Sequence, residues 1–151
     1  MRTVLQRVSR AAVRVEGRVV GEIGRGVVLL AGIAKGDTED DVRATARKVS
    51  KLRIFPGRTP MDRTLADVGG ACLVVSQFTL LGALAKGNRP GFGHAEDPSR
   101  AEQLVAVLVE ALRAEGLPVE TGAFGAMMEV ELVNDGPVTF VLDVAEGRVA
   151  S

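Results

Sequence analysis

The chain opens on a stretch where apolar and polar positions nearly alternate. Residues 2–8 (RTVLQRV) and 11–16 (AAVRVE) are rich in β-branched side chains and read as two strands. Gly17, between RVE and RVV, suggests a hairpin turn. Residues 27–33 (VVLLAGI) form a short unbroken apolar run behind Gly24 and Gly26, the pattern of a strand buried on both faces. The period then changes. Asp37 or Thr38 can cap a helix whose acidic first turn faces the positive end of the helix dipole. Val42, Ala46, Val49 and Leu52 follow at helical spacing. Residues 53–55 read as a short strand stopped by Pro56-Gly57, and 57–70 as turn-rich chain. Residues 71–81 (ACLVVSQFTLL) are the strongest strand candidate in the sequence.

Residues 82–98 (GALAKGNRPGFGHAEDP) follow as a long Gly/Pro-rich loop, a kind uncommon unless functional. A second helix starts near Pro98. Ser99 and Glu102 make a capping box there, competing with Asp97 followed by Pro98 at the first helical position. Leu104, Leu108, Ala111 and Leu112 give its core stripe, Gly116 is placed to end it, and Pro118 prevents its continuation. Residues 127–133 and 138–144 read as two strands around a turn at 134–137. Strands outnumber helices and do not alternate with them one for one. The expected fold is therefore α+β, a single compact domain of curled, mixed, barrel-like β-sheets covered by two main helices. That domain spans 1–144, and the tail 145–151 carries no clear signal.

Composition narrows the chemistry. A chain of 151 residues with 46% hydrophobic and 25% charged residues has one domain's worth of core and is not a disordered chain. No apolar run approaches the ~20 residues of a membrane helix, and the N-terminus lacks the apolar region of a signal peptide. A reducing, cytoplasmic location is the expectation. Nineteen basic and nineteen acidic residues cancel, so any nucleic-acid contact should be local, made by a few cations. Cys72 and His94 are the only residues of their kinds, which excludes an intrachain disulfide and argues against a zinc centre. We expect no metal and no cofactor. Cys72 reads as a small buried hydrophobe and His94 as a solvated loop residue. Met127 and Met128 alternate in a strand, one inward and the other exposed or lining a pocket. With no Tyr or Trp either, most of the usual catalytic side chains are missing.

Two segments stand out against this background. Ser76-Gln77-Phe78-Thr79 puts polar side chains at the end of a very apolar strand. Either Ser76 and Thr79 point to solvent as the strand leaves the core, or the strand end turns its backbone N–H groups and hydroxyls to a ligand. Asn134-Asp135-Gly136-Pro137-Val138-Thr139 reads as a hairpin turn, or as a specific turn around a cis Gly136–Pro137 bond that would orient neighbouring carbonyls as acceptors.

Together these segments resemble the S-Q-x-T and N-x-G-P-x-T signatures of the D-aminoacyl-tRNA deacylases, also called the D-tyrosyl-tRNA deacylase family. MRTVLQRVSRAAV at the start, VVGEIGRG at 19–26, DVGG at 67–70, KGNRPGF at 86–92 and TGAFGAMM at 121–128 are similar to the family in the same order. The resemblance covers about residues 1–144. It implies a homodimer that hydrolyses D-aminoacyl-tRNA and mischarged glycyl-tRNA, with no DNA or membrane partner. It implies that Ser76, Gln77, Phe78 and Thr79 form the catalytic segment, with the N–H groups around Phe78 and Thr79 holding the ester carbonyl. Gly136 and Pro137, flanked by Asn134 and Thr139 and braced by Arg7, would reach into the partner's pocket and leave no room for an L side chain. Lys86, Arg89 and Phe92 are the candidate contacts to the tRNA acceptor end, although packing is an equal reading for Phe92. The chain departs from the family at Gly91, where Ser is common, and at Leu81, where Tyr is frequent.

The chemistry is consistent with such a chain. An aminoacyl ester is already activated, so orientation and oxyanion stabilisation can supply much of the acceleration without a triad. The family reading adds help from the 2′-hydroxyl of the terminal ribose. Two other readings remain: a hydrolase of small D-amino-acid esters or peptides with Ser76 or Thr79 as nucleophile, and a non-catalytic module that binds RNA ends or proteins.

Overall fold

The computed structural model describes residues 1–150. In chain order it contains β1 (Arg2–Val15), β2 (Arg18–Ile23), β3 (Gly26–Gly32), α1 (Glu39–Lys51), β4 (Ala71–Ser76), a 3-10 turn (Phe78–Leu81), α2 (Pro98–Ala114), β5 (Val119–Thr121), β6 (Glu129–Ala145) and β7 (Arg148–Val149). The sheet runs β5-β4-β3-β1-β6-β7, with β2 also paired to β1. Pairings among β3, β4 and β5 are parallel and all others antiparallel. This mixed, curled sheet with two helices is the α+β architecture expected. Among the described residues no helix is long and apolar enough to cross a membrane.

β1 organises the sheet. Its first half lies between β3 and β6, and its second half between β2 and β6. The register to β6 shifts between Gln6 and Val8 and again between Val8 and Arg10. These irregularities change which face an odd-numbered residue occupies. Leu5 joins the larger core under the helices, with Val27, Leu29, Cys72 and Val74. Ala11 and Val13 join a second cluster on the other face, with Val8, Ile23, Val28, Leu73 and Val75.

The helices form for the reasons read from the sequence. Thr38 caps α1, the Asp41 carboxylate accepts the Thr38 N–H at 2.9 Å, and Val42, Ala46 and Val49 are buried. At α2 the competition is settled in favour of Asp97 as cap and Pro98 in the first turn. Leu104, Leu108 and Leu112 are each at most 1% exposed. Each such burial contributes roughly 1.5–3 kcal/mol before ordering costs. Ala111 of the expected stripe is only half-buried. Gly116 ends the region at φ +86°, in the left-handed conformation that favours glycine.

Several boundaries differ from expectation. The two strands expected at 2–8 and 11–16 are one strand, because the shift near Val8 kinks the ladder without ending it. Residues 53–55 form no strand; Phe55 makes a single antiparallel bridge to Arg63. The apolar run 71–81 stops being strand at Ser76 and closes into the 3-10 turn. Val119–Thr121 adds a short edge strand with no clear sequence signal. Residues 134–137 do not turn a hairpin. Both segments beside them pair with β1 in the same direction and belong to the single strand β6. β6 then forms a hairpin with β7, and the Gly147 N–H donates to Asp41 Oδ1 at 2.7 Å, fastening the chain end to α1.

Candidate active site

β4 delivers Ser76 to the end of the sheet. The Gln77 N–H extends the pairing by donating to the Ala31 carbonyl at 2.8 Å, and the chain then folds back across the end of β3. Gly32 makes that approach possible: a Cβ there would collide with the Leu81 side chain and stand 3.1 Å from Leu80 Cβ. The Leu80 N–H returns to the Gln77 carbonyl at 3.2 Å and the Gly82 N–H to the Thr79 carbonyl at 3.0 Å. The N–H groups of Phe78 and Thr79, first in the turn, have no acceptor among the described residues, as geometry dictates for the start of any helical turn. Gln77 Nε2 donates to Thr79 Oγ1. The Thr79 hydroxyl is exposed and its partner is an amide donor, not a base. Ser76 is half-buried.

The second segment is a loop pushed out of β6. Residues Glu129 to Val133 pair with Arg14 to Arg10, Asn134 pairs with Val8, and pairing resumes only at Thr139 opposite Gln6. Asp135 to Val138 therefore have no place in the ladder. Asn134 closes the base of this bulge: its Oδ1 accepts the Val138 N–H at 2.8 Å and its Nδ2 donates to Thr139 Oγ1 at 2.9 Å. Gln6 Nε2 reaches the same hydroxyl at 3.4 Å. At the tip, Gly136–Pro137 is a cis peptide and both residues are exposed. Arg7, only 7% exposed, holds the bulge from below. Its Nε donates to the Asp135 carbonyl at 2.9 Å and its Nη1 to the Ile54 carbonyl at 2.7 Å. Nearly all of the guanidinium's support thus comes from backbone oxygens, the Asp135 carboxylate lying 3.9 Å away.

Arg7, Gly136, Pro137, Asn134 and Thr139 are therefore brought together, and Ser76, Gln77, Phe78 and Thr79 likewise. The two groups are not brought to each other. Ser76 is in register with Ala31 and so with Thr3, whereas Arg7 is in register with Val27. The rows lie four residue steps apart on β1, about 13 Å along the strand.

The loop after the 3-10 turn is tied back by Ala83 and Gly91, which exchange two hydrogen bonds of 2.7 and 2.9 Å. Lys86 and Arg89 lie exposed on the resulting tip and make no ion pair among the described residues. Phe92, just past the pinned pair, packs edge-on against Phe78 with centroids 5.0 Å apart. Behind the turn runs a groove of about 380 Å³ lined by Leu80, Leu81, His94 and the Arg2–Asp143 ion pair. His94 is exposed. Met127 is exposed, and Met128 packs on the second core cluster. Burial pushes the Cys72 thiol up to about 12, so it has no thiolate to offer near neutral pH. Among the described residues no three His, Cys, Asp or Glu side chains cluster to hold a metal ion. Sequence reasoning missed Ile54 and Gln6. Ile54 acts through its carbonyl, and a backbone acceptor leaves no mark on residue identity.

A family model described as D-Tyr-tRNA(Tyr) deacylase matches residues 4–143. The chain belongs to the D-Tyr-tRNA(Tyr) deacylase family. Within it, the chain is 56% identical to a D-aminoacyl-tRNA deacylase of Paracoccus denitrificans, over 97% of this chain and 99% of the relative. It is 54% identical to one of Thermomicrobium roseum, over 100% of this chain and 99% of that protein. A solved structure titled c-Myc DNA Unwinding Element Binding Protein superposes with a TM-score of 0.88 at 38% identity, covering 95% of this chain and 98% of the other. A probable eukaryotic D-amino acid tRNA deacylase, 19% identical, has the same fold at a TM-score of 0.79, covering 93% and 97%. The family match spans both the 76–79 turn and the 134–139 bulge.

Proposed function

We propose that this protein is a D-aminoacyl-tRNA deacylase. Water adds to the ester carbonyl, the ester bond breaks, and free tRNA and a D-amino acid leave. The observation that carries this reading is the exposed Gly136–Pro137 tip, held by Arg7 and closed by Asn134 and Thr139, in a family named for this reaction. In our reading the tip's carbonyls face the α-amino side of the aminoacyl group, and an L side chain would collide with it. Glycine lacks the side chain that is rejected, so glycyl-tRNA is also a substrate.

The free N–H groups of Phe78 and Thr79 receive the carbonyl oxygen as it gains negative charge. One such donor is typically worth about 3–4 kcal/mol in the transition state. Gln77 fixes the Thr79 side chain, Ser76 anchors the start of the turn, and the 2′-hydroxyl of the terminal ribose assists the attacking water. Because turn and bulge lie apart within one chain, the working site joins the turn of one subunit to the bulge of a second in a homodimer. Lys86, Arg89 and Phe92 take the acceptor end, a local contact that suits a chain of zero net charge. A cytoplasmic setting follows from the substrate. Neither DNA nor a membrane is needed, and no metal or other cofactor enters the scheme.

The alternative, a hydrolase of small D-amino-acid esters or peptides, needs Ser76 or Thr79 as a nucleophile. Thr79 has an amide donor beside it and no base, which disfavours that route. The test is ester loss from D-tyrosyl-tRNA and L-tyrosyl-tRNA with chelator present. Rapid loss of the D form alone is expected. Loss of both would remove the chiral role of Gly136–Pro137, and survival of both would favour the binding-module reading.

A further inference from the structure

We infer that the Phe78–Phe92 pair is a stacking platform for a nucleobase of the single-stranded 3′ end of the RNA; this rests on the proposed tRNA substrate. A protein that hides its aromatic surface would bury these rings, as it buries Phe55 at 1% exposure. Phe78 is instead 55% exposed and Phe92 40%, yet the two rings are fixed against one another at 5.0 Å and 66°. The arrangement is built by the backbone. Phe78 opens the 3-10 turn, Gly82 ends it beneath the Phe92 ring, and the Ala83–Gly91 pair returns the chain so that Phe92 lands beside Phe78.

Charge selects the occupant. The loop closed by that pair carries Lys86 and Arg89, both exposed and without an ion-pair partner among the described residues. The N–H groups of Phe78 and Thr79, in the turn that carries the Phe78 ring, are likewise unpaired among the described residues. Aromatic faces flanked by cations along a short loop are the means by which proteins hold unpaired bases and their phosphates. A purely apolar partner would leave both cations and both N–H groups without a counterpart. The rings therefore set how tightly the acceptor end binds, while the N–H groups act on the ester.

The absence of Trp and Tyr from the chain makes the test direct. Phe92→Trp introduces a single indole, and the CCA trinucleotide is titrated against its emission. Saturable quenching is expected, weakened when Phe78→Ala is added. In parallel, Phe92→Leu keeps an apolar residue over Gly82 but removes the π-face. It should raise KM for D-tyrosyl-tRNA about tenfold or more with kcat within about twofold, and Phe92→Trp should restore KM. No quenching up to millimolar trinucleotide, or an unchanged KM in Phe92→Leu, would overturn the inference. So would an emission change that follows protein concentration alone, since the rings would then belong to a subunit contact. A wild-type protein inactive on D-tyrosyl-tRNA would instead defeat the functional reading, and the titration would still decide stacking separately.

Discussion

At Gly136 the backbone itself restricts the side chain. Its φ of +139° is one that L residues rarely adopt, and a Cβ there would stand 2.7 Å from Val138 Cγ2 and 3.1 Å from Arg7 Nη2. Val138 is buried and Arg7 is held by two carbonyls, so neither yields freely. Gly136→Ala should reduce deacylation at least about tenfold while costing only about 1–3 kcal/mol of stability, measured by single-turnover kinetics beside thermal melts. Full activity would sink the role given to this tip. Thr79→Ala should behave differently, keeping activity within about tenfold, because the proposed mechanism uses backbone N–H donors there and the hydroxyl has no base beside it. Near-complete loss without unfolding would restore Thr79 as a chemical participant. As residue types alone, the Gly136-Pro137 pair suits an ordinary hairpin turn and the Ser76 and Thr79 hydroxyls suit a solvent-facing strand end; only the match to two family signatures singles them out. The residue pattern alone does not show the Arg7 contacts, and only the resemblance implies that Arg7 braces the tip, because carbonyls of Asp135 and Ile54 receive them and any residue has a carbonyl.

At the scale of elements, β6 shows where periodicity misleads. Two apolar runs flanking Asn-Asp-Gly-Pro match a hairpin by every local rule. Only the partner strand reveals that both runs continue in one direction along β1. The strand at 71–81 was overextended for a related reason: Phe78, Thr79, Leu80 and Leu81 suit a strand locally, and the vacant side of Gly32 is what lets the chain close into a turn. The junction of α1 with the chain end yields its own prediction. Burial pushes the Asp41 carboxyl up, but hydrogen bonds from the Gly147 N–H and from the Thr38 N–H and hydroxyl outweigh it and hold the group below its ordinary 3.8. Asp41→Ala should therefore cost about 1–2 kcal/mol, about 2–8 °C in Tm at neutral pH. A carboxylate held low stabilises fully above its ordinary range and loses that contribution as pH falls through the lowered value. The difference in Tm between wild type and variant should shrink below pH 3.8; a gap independent of pH would show that the charge is not what matters.

For the whole molecule, the fold class was readable because the two helices carry clear caps and buried stripes, and because strands cluster at both ends of the chain. The sheet order was not readable. It depends on β6 returning to β1 from the far end of the sequence, a pairing that no local pattern encodes. The ladder leaves the 3-10 turn and the Gly136-Pro137 tip four register positions apart. The separation has a genetic consequence. Two chains, each ruined in a different segment, should repair one another when combined. Phe78→Pro deletes one donor N–H at a position where proline suits the start of a helical turn, and Gly136→Ala spoils the tip. In the proposed homodimer, each variant alone should be impaired at least about tenfold. Co-expressed, a mixed dimer of the proposed kind would hold one composite centre with both parts intact and one with both damaged, so it should recover about half the activity of a wild-type dimer. Silence in isolated mixed dimers would mean that each chain completes its own centre.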